Sequence, residues 1–174
     1  MKKGPKNIPQ HTRAWLRLYR QALRQQAREA KRPCTGCAMH DPEAMVADPG
    51  MRHKLLQCLR GAAQFYCHDG LPTTTHSDGS AGSYLPPTMA DGRIDVAQLT
   101  PCGGFLRWAV RYRGASLREQ IAAVDAHQRR MCERYLASDL PHAAEFRRQC
   151  RGKVALFQEA LNMQSLGILW MEDV

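Results

Sequence analysis

The chain has few aromatic residues, 7% of the total, and no apolar run on the scale of a membrane span. Its strongest run, Leu166 to Met171, falls far short of the roughly 20 residues a bilayer requires. The opening Met1-Lys2-Lys3-Gly4-Pro5-Lys6 leads into no apolar signal core, and the expected compartment is the cytoplasm. No glycine-rich phosphate loop precedes a helix, since Gly103-Gly104 lacks the rest of that pattern. Carboxylates paired on one face are missing too. Cys67-His68-Asp69 has the letters of a nucleophile set, but adjacent side chains point away from one another and seldom form a triad. His127 reads as a surface or packing histidine rather than a base. The reading is therefore non-enzymatic, with a metal-dependent hydrolase around His68, Asp69 and nearby thiolates as the enzymatic alternative. There is no internal repeat.

Acid is the other scarcity, and it is local. Between Met1 and Pro33, Lys2, Lys3, Lys6, Arg13, Arg17, Arg20, Arg24, Arg28, Lys31 and Arg32 face the single acid Glu29. From Cys34 to Val174 fifteen basic residues balance fifteen acidic ones, so the whole net charge of +9 resides in the first 33 positions. A charge bias confined in this way makes a directional field that attracts polyanions.

The basic residues are spaced for a helix. At about 100° per residue, Arg13, Arg17, Arg20, Arg24, Arg28 and Lys31 fall within an arc of about 80°. Trp15, Leu16, Leu18, Tyr19, Ala22, Leu23, Ala27 and Ala30 occupy the side outside that arc. Pro9 and Thr12 suit a start, Lys31 and Arg32 suit the negative end of the helix dipole, and Pro33 stops it, which predicts a helix from Thr12 to Arg32. Successive arginines then lie about 5 to 6 Å apart along the axis, a spacing that meets neighbouring phosphates of a nucleic-acid backbone. Arginine also favours bidentate phosphate or guanine contacts. Two other readings fit the same helix: an ordinary amphipathic helix packed on the body with its arginines in water, and a helix lying on an anionic membrane.

At 174 residues, with 44% apolar content, the chain is long enough for a core. The expected fold is mainly α: a single helical domain with a long Gly/Pro/Ser/Thr loop, a small strand pair and the basic N-terminal helix. Residues 1–33 form the arm and 34–174 the body, divided into a Cys-rich part (34–68), a loop (69–104) and a C-terminal helical part (105–174). Asp41-Pro42-Glu43 caps a short helix, and Asp48-Pro49 opens a second to about Cys67 with Leu55, Leu56 and Leu59 inward. Leu106, Trp108, Val110 and Tyr112 alternate with Arg107, Ala109, Arg111 and Arg113, which predicts a half-buried strand ended by Gly114; one and a half helical turns is the alternative. Ser116-Leu117-Arg118-Glu119 is a capping box for a helix to about Leu136, with Leu117, Ile121, Val124, Met131 and Tyr135 on its buried stripe. One long helix follows, from about Pro141 to Met163, burying Phe146, Cys150, Val154, Phe157 and Leu161, and Ile168 to Met171 docks as a tail.

Seven cysteines in a reducing compartment argue against a disulfide framework. Cys34-Thr35-Gly36-Cys37 has metal-knuckle spacing, and Cys58 and Cys67 follow; the four make a candidate zinc site, with an iron–sulfur cluster as the lesser choice and His40, His53 and His68 as substitute ligands. Nine residues separate Cys58 from Cys67, so both face one metal only if their helix ends early. The rival reading makes Cys58 a core residue and the Cys34/Cys37 pair incidental. Cys102, Cys132 and Cys150 read as packing.

Residues Val110 to Ala122 resemble the first helix and turn of the helix-turn-helix in sigma-factor region 4 and related phage regulators, over at most thirty residues. An extra residue separates Glu119 from Ile121, and no glycine break precedes the recognition helix. The resemblance implies Gln128, Arg129, Arg130 and Arg134 at a groove, with Arg111 and Arg113 on phosphates. The functional expectation is a regulatory or architectural binder of DNA or RNA, using Arg13, Arg17, Arg20, Arg24, Arg28 and Lys31 of the arm with Arg107, Arg111 and Arg113 of the body. The alternative is an interaction or inhibitor module whose cationic helix grips an acidic protein surface in a larger assembly.

Overall fold

The computed structural model describes residues 17–18, 21–22, 24–25, 27–28, 36–68, 71–75, 77, 81–140 and 142–165. Those eight described arm residues are all helical. The body is mainly helical as expected: α1 (Pro42–Val46), α2 (Met51–Leu59), α3 (Gly103–Ala109), α4 (Leu117–Leu136), α5 (Ala143–Gln149) and α6 (Val154–Ser165). A small antiparallel pair, β1 (Thr73–Thr75) with β2 (Ala81–Tyr84), lies within the predicted loop, Thr73 opposite Tyr84 and Thr75 opposite Ala81. No described helix is long and apolar enough to cross a membrane.

Asp41 caps α1 by accepting the Glu43 N–H at 3.0 Å, with Pro42 at the first turn. The second helix is shorter than the predicted span to Cys67, because Gly61 takes φ +76° directly after Arg60 and ends the helix as a left-handed cap. The freed segment runs extended. Cys67 N–H donates to Thr100 O at 2.7 Å, and Cys102 N–H donates to Phe65 O at 2.8 Å. This short pairing of Tyr66 with Pro101 brings the two halves of the body together across the loop.

Residues 106–112 do not form the predicted strand. Phe105 and Ala109, four apart on α3, are both fully buried, while Trp108 and Tyr112 pack against the same core. The alternation of apolar and basic letters was compatible with either period, and packing of one helical face decided between them. The long helix predicted from Pro141 is likewise two helices. Arg151 at φ +52° and Gly152 at φ +70° reverse the chain after α5, which sets the Phe146 and Phe157 rings 5.3 Å apart.

The capping box of α4 is formed: Ser116 Oγ accepts from Glu119 N–H, and the Glu119 carboxylate accepts from Ser116 N–H at 2.9 Å. Its buried stripe differs from the expected one. Leu117 is 52% exposed, whereas Gln120, His127 and Gln128 are buried with Val124, Met131 and Tyr135. Gln128 is accommodated there by hydrogen bonds with Asn162 and Gln158 of α6.

Two apolar clusters share α4. Phe105, Leu55, Cys58, Met39 and Phe65 meet Val124 and Met131 at one level. Phe157, Leu161, Ala143 and Cys150 meet Cys132, Tyr135 and Leu136 at the other. The predicted tail at Ile168 to Met171 lies outside the described residues.

Candidate functional site

Arg17, Arg24 and Arg28 are exposed, and Ala27 of the predicted apolar face is buried. Leu18, expected on that same face, is 66% exposed, so burial among the described arm residues is seen at Ala27. Arg13, Arg20 and Lys31 lie outside the described residues. The contact is made by α3: Arg107 donates from Nε to the Ala27 carbonyl at 3.2 Å. Arg107, predicted as a ligand contact, thus also tethers the arm.

Docking at Ala27 leaves a cleft between the arm and the C-terminal end of α3. Two concavities of about 440 and 450 Å³ share Arg24, Val110 and Arg111 in their walls. Arg113 completes one and Arg28 with Arg107 the other. Arginines predicted from two separate parts of the sequence therefore line one surface. Arg113 is half-buried with its guanidinium 5.9 Å from the centroid of the buried Phe105 ring, a cation–π placement that turns it against the core, and its Nε is buried without a hydrogen-bond partner among the described residues.

Among the described residues the cleft has one acid in its lining, Glu119. The Ser116 hydroxyl, and then the Ser116 N–H, hold its carboxyl below the ordinary carboxylate value, so it is ionised and oriented into the helix cap. No carboxylate among the described residues pairs with Arg17, Arg24, Arg28, Arg111 or Arg113. Unscreened guanidinium groups at this density produce a positive potential that an anionic ligand relieves.

The expected metal ligands are placed differently. Cys37 is buried, with its sulfur 3.5 Å from that of Cys102. Cys58 is buried in α2, where desolvation raises its thiol pKa. Cys67 is half-buried on the extended segment, and Cys34 lies outside the described residues. Among the described residues no three His, Cys, Asp or Glu side chains gather as a metal-holding group, so Cys37, Cys58 and Cys67 are not assembled into one. Cys102, expected as a packing residue, is buried in the core and has a second role there. Its position just before Gly103-Gly104 makes it the N-cap of α3, and the hydrogen bond with Cys37, then those from the Phe105 and Gly104 N–H groups, outweigh burial and lower its pKa to about 6.

Of the hydrolase candidates, His68 stacks on Tyr84 with ring centroids 4.4 Å apart, and Asp69 lies outside the described residues. His127 is a packing residue, buried against Trp108. The helix-turn-helix resemblance fails in its geometry, because α4 is one continuous helix where a turn is required. Gln128 is buried on α6, Arg129 pairs with Glu133 at 3.8 Å, and Arg134 donates to the His40 carbonyl at 2.7 Å. Comparison with protein-family models, curated proteins and solved structures gives no match for this chain.

Proposed function

We propose that the protein is a non-enzymatic nucleic-acid binder, regulatory or architectural in role, that takes the phosphate backbone along the cleft between its arm and α3. The observation that carries this reading is the convergence of Arg24 and Arg28 with Arg111 and Arg113 on one surface, with no carboxylate partner among the described residues. Arginines on the arm supply affinity through phosphate contacts and displacement of counterions. Those on the body supply orientation, since they sit in the turn after α3, where the Phe105 ring holds Arg113. Arg17 extends the same basic face beyond the cleft. A zinc site built on Cys34, Cys37, Cys58 and Cys67 takes no part in this proposal.

The test is the salt dependence of binding to duplex and single-stranded probes. Five phosphate contacts correspond to a log–log slope of about −4 to −5 on duplex DNA, and replacing Arg24, Arg28 and Arg111 by Ala flattens it by about 3 units. An unchanged slope in the triple variant removes the cleft from the interface. Absence of any shift at low salt, with a stable acidic protein partner recovered instead, replaces the proposal by the interaction-module reading.

A further inference from the structure

We propose that Cys37 and Cys102 form a reversible disulfide, with a peroxide as the oxidant, that staples the segment following the arm to the start of α3. The sulfurs are 3.5 Å apart and both residues are buried. A disulfide requires about 2 Å, so the sulfurs have to close by about 1.5 Å. Both backbones are already anchored. The Cys37 carbonyl accepts from the His40 and Asp41 N–H groups at 2.7 Å each, and the Cys102 N–H donates to Phe65 O at 2.8 Å.

Gly104 explains how the sulfur of Cys37 seats against α3. A Cβ at position 104 would stand 2.9 Å from that sulfur and 3.2 Å from Met39 Cβ, so any other residue displaces the thiol from its partner. Cys58 lies in the same core and Cys67 packs against it, but among the described residues neither makes such a sulfur contact. The pair is therefore distinguished by placement and not by cysteine abundance.

The chemistry balances with a single peroxide. The Cys102 thiolate attacks one peroxide oxygen, forming S–O as O–O breaks and releasing hydroxide, which takes a proton to become water. Cys37, as thiolate, then attacks the sulfenic sulfur; S–S forms, S–O breaks, and the second oxygen leaves as water. Two thiols and one hydrogen peroxide give one disulfide and two waters. A dithiol reductant reverses the link by two exchange steps.

The link closes a separation of 65 residues and restricts the unfolded chain, so oxidation stabilises the fold. It also fixes the chain ten residues beyond Ala27 to the helix that already holds Ala27 through Arg107. Oxidation thus locks the root of the arm, whatever ligand the cleft takes.

Full-length reduced protein is treated with hydrogen peroxide, quenched with catalase, alkylated in denaturant and mapped by peptide mass. The expected result is a Cys37–Cys102 peptide, lighter by two hydrogens, appearing before any other cross-link, together with a rise in Tm that dithiothreitol reverses. Cys102→Ser loses both the peptide and the rise. Should that variant fail to fold, the wild-type map alone decides. A Cys34–Cys37 link formed first, sulfinic acid without a cross-link, or a stoichiometric metal ion that Cys37 and Cys102 retain against peroxide each overturns the proposal.

Discussion

Several arginines of α4 and α5 are engaged inside their own fold, whereas those around the junction of the arm with α3 stand without carboxylates among the described residues. Arg129 pairs with Glu133, Arg148 with Glu145, and Arg147 donates to the Leu136 and Ser138 carbonyls at 2.6 and 3.0 Å. At the junction, Arg24, Arg28 and Arg111 have no acid partner among the described residues, and Arg113 rests on an aromatic ring. Exposed ion pairs contribute about 0 to 1 kcal/mol each, so the difference has little to do with stability. It concerns availability: one set of guanidinium groups is already engaged by carboxylates or backbone carbonyls, and the other is the set that the proposed function assigns to an anion.

The sharpest way to separate the two regions is to hollow each core in turn. Phe105→Ala and Phe157→Ala each remove a fully buried ring and should each cost about 3–5 kcal/mol in urea denaturation. Only Phe105→Ala should also weaken polyanion binding by the folded fraction, because Arg113 loses the ring beneath it. Equal weakening by both variants would erase the distinction.

A smaller effect comes from His127, which lies on the junction side against Trp108. Burial, then the Arg130 and His40 charges, lower its pKa from 6.5 to about 4 against a raising contribution from the Ala38 backbone. Between those two values the unfolded chain takes up a proton that the folded chain refuses. Stability is therefore complete above about pH 6.5, falls as the pH drops towards 4 and levels off below, a loss of up to about 3 kcal/mol. Denaturation of His127→Gln across this range should show a flattened dependence; a slope equal to that of the wild type would mean another group is responsible.

Next comes the control for the cleft. Replacing Arg129 and Arg148 by Ala removes as many charges as two of the cleft substitutions, yet the salt slope of nucleic-acid binding should not move, whereas each cleft arginine contributes about 0.9 unit. The smallest change is Ser116→Ala, which removes one cap of α4 and costs about 1 kcal/mol, read as a lowered Tm with the salt slope nearly intact.

Local features were legible before the structure. Ser116 and Glu119 announce the start of α4 because both groups of the capping box lie within one turn. Asp41-Pro42 does the same for α1. Gly61 and Gly152 carried stop signals that the long apolar stripes around them concealed, so two helices were drawn too long. The stretch from Leu106 to Tyr112 was ambiguous for a better reason: alternation and helical spacing both placed Trp108 and Tyr112 inward. Of the candidate site, the basic residues were legible and their meeting place was not. That Cys37 faces the sulfur of Cys102 was not legible, because a sequence spacing such as Cys34 to Cys37 says nothing about which distant sulfur will face it.

What the amino-acid sequence determined by itself is the segregation of charge, the mainly helical character and the lack of an apolar run able to span a bilayer, since each depends on neighbours a few positions apart. Only the tertiary structure decided that Arg107 ties down Ala27, that Arg24 and Arg111 line one cleft, and that Cys37 faces Cys102. Those contacts join residues about 65 to 90 positions apart, and they arise from burial of the Phe105 core, a collective property that no short stretch of the chain encodes.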